Sequence, residues 1–288
     1  MDIYHAIWEA DQKGSGLLPI TAAEIGDPNQ GYVVVDLEAC SPDHQVFKEV
    51  EIPDRKRHSY KLVERLFDNY TLSHYSREKN SSNESKEVKE FLQMAIDSPP
   101  VKLAKNYIEE KNKKCFTEMQ WYTHLHDLWF RQYDCESGKD LSGFEHVFVG
   151  EQRKRRLEGH HFWYKYWLED QSDLNNHHPD QIELKCEYFG EQKGAPFVVT
   201  FGYRLQAFDY QKRRFFRVGK NHCAFLVGIS AEGLLALGTV RALKHKDVPE
   251  EIVINDATFK LELFMSPDGK SIRTFYPIDP ESERPDSL

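Results

Sequence analysis

Cysteine is scarce in this chain and its spacing pairs nothing. The five cysteines, Cys40, Cys115, Cys135, Cys186 and Cys223, are odd in number, scattered, and never spaced as CxxC. That pattern argues against a zinc ribbon and a disulfide frame, and reads as reduced, small buried thiols. No apolar run reaches the roughly 20 residues of a membrane-spanning helix. The opening Met1-Asp2-Ile3-Tyr4 has neither the basic nor the apolar segment of a signal peptide. Together these absences lead us to expect a cytoplasmic protein that meets no membrane. A Gly-rich phosphate loop, HExxH and GxSxG are also missing, which argues against nucleotide-loop, zincin and serine-hydrolase chemistry. No internal repeat at a fixed period appears.

What is present is enough for a sizeable core. Of 288 residues, 40% are hydrophobic and 18 are phenylalanine, which suits a folded globular protein. The first 139 residues read mainly as helices. Ile3–Ala10, Tyr60–Tyr70, Lys86–Ile96, Val101–Glu110 and Thr117–Tyr133 carry apolar residues at helical spacing. Residues 13–58 are mixed, with a Tyr32–Leu37 run of undecided state. After residue 140 the pattern changes to β-rich runs: Ile182–Phe189, Phe197–Phe208, Arg214–Val218, His222–Val227, Ala257–Phe264 and Ser271–Tyr276. A helix at Ser230–Leu243 lies among them. Helices followed by strands make an α+β fold rather than a doubly wound sheet. The division expected is a helical N-terminal lobe over 1–139, a mostly antiparallel β lobe over 140–278, and a polar tail over 279–288.

Net charge is -9, which at first disfavours a polyanionic partner. Its distribution says otherwise. Residues 150–220 carry 13 Lys+Arg against 10 Asp+Glu, whereas residues 1–139 carry 18 against 24. Two basic runs, Arg153–Arg156 and Lys212-Arg213-Arg214 with Arg217 and Lys220, flank a histidine segment. Such runs are usually solvated loops; beside histidines they suit a local phosphate-binding patch.

That segment organises the chain. Ser142-Gly-Phe-Glu-His-Val-Phe-Val-Gly-Glu151 alternates between two glycines and reads as a short strand, with Phe144, His146 and Phe148 on one face. After the basic run, Gly159-His160-His161-Phe162-Trp163 opens a helix reaching Glu169. Two histidines on adjacent elements beside cations suggest an acid/base pair next to an anion site. His146 alone, between phenylalanines, would read as a satisfied core histidine.

The stretch 142–151 closely resembles the signature of the EndoU (XendoU-type) endoribonucleases, and 159–163 is similar to that family's Gly-Phe-His-Asn-Trp segment. Phe67-Asp-Asn-Tyr70, Leu128-Trp-Phe-Arg-Gln-Tyr133 and Arg273-Thr-Phe-Tyr-Pro277 extend the resemblance over nearly the whole chain. It implies cleavage of single-stranded RNA, preferentially at uridine, by the RNA's own 2′-hydroxyl, leaving 2′,3′-cyclic phosphate and 5′-hydroxyl ends. Such chemistry needs a base, an acid and a fixed cation, and histidine suits both proton roles because its ordinary pKa of about 6.5 lies near working pH.

The resemblance assigns His161 as base and His146 as acid. Alignment of Lys220-Asn-His-Cys-Ala-Phe-Leu-Val-Gly-Ile-Ser230 with the family's lysine segment assigns Lys220 as the cation. Lys165, Arg217, His160 and His222 are the substitutes. Thr274 and Tyr276 would line the nucleotide pocket. No metal is required by this chemistry. Relatives that respond to Mn²⁺ would implicate Glu145 and Glu151 here, as a stimulating site. Single-stranded RNA is the expected partner, and no stable protein partner is inferred. Two departures stand out: Ala224 replaces a serine tied to uracil recognition, and Phe162 replaces the asparagine after the second histidine. The alternatives are a catalytically silent RNA-binding relative and, ranked last, a metal-dependent hydrolase using Glu145, His146 and Glu151. Strand alternation would point His146 away from Glu145 and so disfavours the last.

Overall fold

The computed structural model describes residues 2–279 apart from 39, 172–181, 190–191 and 255. The expected tail, beyond Asp279, lies outside the described residues. Helix α1 (Ile3–Lys13) opens the chain, and a small sheet follows from β1 (Leu18–Thr21), β2 (Tyr32–Val35) and β3 (Phe47–Glu51). Here β1 and β2 run parallel, while β2 and β3 are antiparallel. The undecided Tyr32–Leu37 run is therefore largely strand, its burial alternating along Tyr32–Val35 as one buried face requires.

Four helices come next: α2 (Arg57–Glu64), α3 (Ser82–Asp97), α4 (Pro99–Asn112) and α5 (Glu118–Trp129). Capping boxes begin two of them, Ser81 with Glu84 at α3 and Thr117 with Gln120 at α5. Pro99 opens α4, where a missing N–H costs nothing. A hairpin of β4 (Tyr133–Cys135) and β5 (Gly138–Leu141) leads into residues 142–151.

There the structure corrects the strand reading. Glu145–Val149 is a π-helical turn, closed by Gly150 N–H donating to the Glu145 carbonyl at 2.8 Å. The alternation misleads because residues two apart include residues four apart. Phe144 and Phe148, one helical turn from each other, stack at 4.5 Å and 10°. They join Phe91 and Phe130 in an aromatic cluster that a flat strand would leave open. Single-turn π segments are frequent at functional sites.

The second half builds around one five-stranded sheet in the order β6-β7-β10-β9-β8. A short hairpin, β6 (Glu151–Arg153) with β7 (Arg156–Glu158), precedes helix α6 (Trp163–Asp170). The remaining strands are β8 (Ile182–Lys185), β9 (Val198–Asp209) and β10 (Arg214–Leu226). The last joins two runs read separately, with an irregularity between Lys220 and Cys223. Helix α7 (Ala231–Arg241) is buried along almost its whole length and packs on α1 and α4. A three-stranded antiparallel sheet of β11 (Glu251–Ile254), β12 (Ala257–Met265) and β13 (Ile272–Ile278) completes the chain. The architecture is α+β, helices first and mostly antiparallel sheets after. Apolar residues of both halves lie in one cluster, and Trp129 Nε1 of α5 donates to Thr239 Oγ1 of α7 at 2.9 Å.

The cysteine reading needs correction. Cys40, after β2, is disulfide-bonded to Cys186, after β8, with Cα atoms 5.6 Å apart and a sequence separation of 146. Spacing along the chain cannot reveal a pairing that depends on two distant loops meeting. They do meet: Leu184 N–H donates to the Pro42 carbonyl at 3.0 Å. Of the others only Cys223 is buried, while Cys115 is exposed. A cytoplasmic location therefore loses the support that five reduced thiols gave it.

Candidate active site

The π-helical turn and the segment after the β6–β7 hairpin hold each other in place. Its unpaired carbonyls at His146 and Val147 accept the N–H groups of His160 and His161 at 2.8 and 2.7 Å. This close approach dictates glycine at 159, whose φ is +69° and where a Cβ would lie 1.7 Å from the His146 carbonyl oxygen. His146 and His161 thus arrive at one place from positions 15 residues apart, with Lys220 of β10 beside them.

All three line one cavity of about 710 Å³, with Thr274, Tyr276, Ala224 and His222 also in its wall. His161 Nδ1 lies 3.3 Å from the Ala224 carbonyl and donates to it. That tautomer leaves Nε2 unprotonated, 3.3 Å from Lys220 Nζ, which donates to it. Lys220 is held in turn by the Gly159 carbonyl. Burial, then the Lys220 cation and His146, hold the His161 pKa well below the ordinary imidazole value. The ring is therefore neutral at neutral pH, as a proton acceptor must be. Burial also lowers the Lys220 ammonium from its usual pKa.

His146 is oriented from behind. Its Nδ1 donates to Glu151 Oε1 at 2.6 Å, and the other oxygen of Glu151 accepts from His74 Nδ1 at 3.1 Å. Burial alone would push the Glu151 carboxyl up, but the two imidazoles bring it down to about 2. The Glu151 anion on Nδ1 fixes the orientation of the ring. His74 gave no signal in the sequence, lying 72 residues from His146 in a loop without a recognisable motif.

The substitutes separate cleanly. His160 is fully buried, with Nδ1 at 2.6 Å from the Tyr203 hydroxyl and Nε2 at 2.7 Å from Glu169. Lys165 pairs with Glu169 as well, and Arg217 pairs with Glu183 at 2.6 Å. None of these three lines the cavity, whereas His222 does. Helix α6 begins at Trp163, so His161 precedes it rather than starting it.

Tyr276 is placed differently from a simple base platform. Its ring stacks on His161, with centroids 4.5 Å apart and planes at 9°, so one face steadies the imidazole. Thr274 Oγ1 is buried in the cavity wall without a hydrogen-bond partner among the described residues, an orphan that a bound polar group would satisfy. Ala224 sits where a side-chain hydroxyl could have faced the cavity. Phe162 does not: it is fully buried and packs on Phe148 at 5.1 Å, so this departure alters the core rather than the pocket beside His161.

With the strand reading gone, alternation no longer separates His146 from the carboxylates, and Glu151 does reach it. Glu145 is buried, and burial, with the Glu151 charge beside it, holds its carboxyl well above the usual range. Among the described residues, the donor atoms within 4.8 Å of one another belong to His74, Glu151 and Glu158, and Glu145 stands outside that group. Both oxygens of Glu151 are engaged by imidazoles, and Glu158 lies 3.6 Å from Arg153. Glu145 and Glu151 thus do not make a ligand set for a divalent cation in this arrangement.

Comparison with known proteins follows the same outline. The sequence model of the family described as "Endoribonuclease XendoU" matches residues 3–277. The uridylate-specific endoribonuclease C of Danio rerio is 28% identical over 96% of this chain and 86% of its own length. The poly(U)-specific endoribonuclease-A of Xenopus laevis is 25% identical over 99% and 94%. A solved structure of XendoU, titled a splicing-independent snoRNA processing endoribonuclease, superposes with a TM-score of 0.68. It covers 96% of this chain and 95% of its own, at 22% identity, and shares the fold. With a family match across nearly its full length, this chain belongs to the XendoU endoribonuclease family.

Proposed function

We propose that this endoribonuclease cleaves single-stranded RNA, with a preference for uridine, by attack of the 2′-hydroxyl on the adjacent phosphate. The products are a 2′,3′-cyclic phosphate and a 5′-hydroxyl. The observation that carries the reading is His161: a neutral imidazole whose unprotonated Nε2 meets Lys220 inside a cavity that also holds His146. His161 takes the 2′-hydroxyl proton. Lys220 stabilises charge on the non-bridging phosphate oxygens. His146, backed by Glu151, gives a proton to the leaving 5′-oxygen. Since the nucleophile belongs to the RNA, no metal is needed, and cleavage should persist in EDTA.

Base choice rests on Thr274, the backbone around it, and Ala224. A pocket that hydrogen-bonds a base edge rejects the wrong base strongly, because its polar groups are left unpaired. The orphaned Thr274 hydroxyl supports one such contact, and alanine at 224 removes another. Uridine should therefore be favoured, with other bases tolerated. Ala224→Ser should sharpen the preference by about 0.5–1.5 kcal/mol, the net value of one hydrogen bond. The test maps cleavage ends from a mixed RNA pool in EDTA for wild type and Ala224→Ser. Ends without cyclic phosphate would reject the mechanism. A wild type already strict for uridine, unchanged by Ala224→Ser, would reject the account of base choice.

The His161 pKa offers a separate check. Burial and the Lys220 cation both disfavour the imidazolium, so an NMR titration of the His161 ring should place its midpoint below about 6.5. Lys220→Met removes the cation and should move that midpoint upward. A wild-type midpoint at or above the ordinary value would mean that the ring is not the neutral base described.

A further inference from the structure

We propose that the tip of the β6–β7 hairpin, Lys154 to Arg156, is a subsite for RNA backbone phosphates on the 3′ side of the cleaved bond. The inference rests on the cleavage reading above and adds where the substrate strand leaves the cavity. Arg153, Lys154, Arg155, Arg156 and Glu158 line an open groove of about 630 Å³. Arg153 and Glu158 also line the catalytic cavity, so the groove adjoins it.

The cations are free to take a ligand. Lys154, Arg155 and Arg156 are exposed, and no ion pair holds any of them among the described residues. Arg153, by contrast, is shared between Glu136 at 3.2 Å and Glu158 at 3.6 Å. The second basic run behaves differently. Lys212 pairs with Asp209 at 3.2 Å, and Lys212 and Arg214 both lie over the Phe216 ring. Apart from Lys220, its residues line neither groove nor cavity.

The hairpin is also a fixed platform. Arg153 opposes Arg156 across a two-residue turn, Leu157 is buried, and Gly219 N–H of β10 donates to the Arg155 carbonyl at 3.1 Å. Lys154 has φ +59°, where asparagine or glycine is the relaxed choice for such a turn. A lysine there gives up local ease for a cation at the tip.

Direction follows from connectivity. The groups set aside for the nucleoside on the 5′ side, Thr274, Tyr276 and Ala224, belong to β13 and β10. His146, on the leaving-group side, is bonded to Glu151, the first residue of β6. A strand running from the nucleoside pocket past His146 therefore next meets the hairpin.

The test uses strands with a single ribouridine among 2′-deoxynucleotides, so only one bond can be cut. One is short, one extended by six nucleotides on the 3′ side, and one by six on the 5′ side. The readout is the ratio of kcat/KM for each extended strand to that for the short one. Wild type should gain on 3′ extension, and the triple variant Lys154→Ala/Arg155→Ala/Arg156→Ala should lose about tenfold of that gain between low and moderate salt. Its salt slope should flatten by about 1.4–2.1, as expected when two or three phosphate contacts of ~0.7 each are removed from a single strand. Circular dichroism of the variant, and the single variant Lys154→Ala with a proportionate loss, guard against misfolding. An unchanged 3′ gain in the folded triple variant, or a loss confined to 5′ extension, overturns the subsite. Failure of wild type to cut even the short strand would instead overturn the cleavage mechanism.

Discussion

Folded His161→Ala protein should cleave RNA slower than wild type by about 10²–10⁴-fold, the usual contribution of a positioned acid or base. The reason is geometric before it is chemical. The Ala224 carbonyl and Lys220 together fix which ring nitrogen is free, and the Tyr276 face fixes the ring plane. Its neighbour His160 cannot replace it, being enclosed by Tyr203 and Glu169. His146→Ala should fall comparably, because the leaving oxygen loses its proton donor and Glu151 keeps a buried charge with one partner fewer. Lys220→Ala removes the only cation within hydrogen-bond reach of His161 among the described residues. Single-turnover kinetics on variants with wild-type circular dichroism make the comparison. Near-wild-type cleavage by folded His161→Ala would remove it from the chemistry and leave His222, which also lines the cavity, as the base to examine.

An RNA oligonucleotide carrying one 2′-deoxy sugar on the 5′ side of its cut should not be cleaved there at all. In the mechanism proposed, that hydroxyl is the nucleophile, so its loss removes a reactant rather than a catalytic contribution. The rival arrangement, a metal-dependent hydrolase using Glu145, His146 and Glu151, needs no 2′-hydroxyl. The side chains disfavour it: both Glu151 oxygens are occupied by His146 and His74, and Glu145 is buried with its carboxyl pushed toward the neutral form. Gel analysis of paired ribo and 2′-deoxy strands decides between the two. Cleavage at the deoxy position would require a water or hydroxide nucleophile, and the roles given to His161 and His146 would have to be abandoned.

Some of this was open to reading along the chain. Helical spacing located α1 and α3 to α5, because one buried stripe on a helix repeats every three to four residues whatever packs against it. β-rich runs located β9, β12 and β13 in the same way. The motif at 142–151 and its partner at 159–163 marked two histidines that do line one cavity, since a resemblance in sequence carries a local backbone shape with it. It did not reveal that shape. Six residues that satisfy both a strand and a helical repeat are decided by their surroundings, and the aromatic cluster around Phe144 and Phe148 drew them into a π-helical turn. Contacts between distant parts of the chain were equally invisible: His74 behind Glu151, the Cys40–Cys186 bond, and the Tyr276 ring against His161. Sequence periodicity reports what each residue must do for its own element. Which side chains then share a proton, a disulfide or a ring face depends on where the elements meet, and only the packed fold decides that.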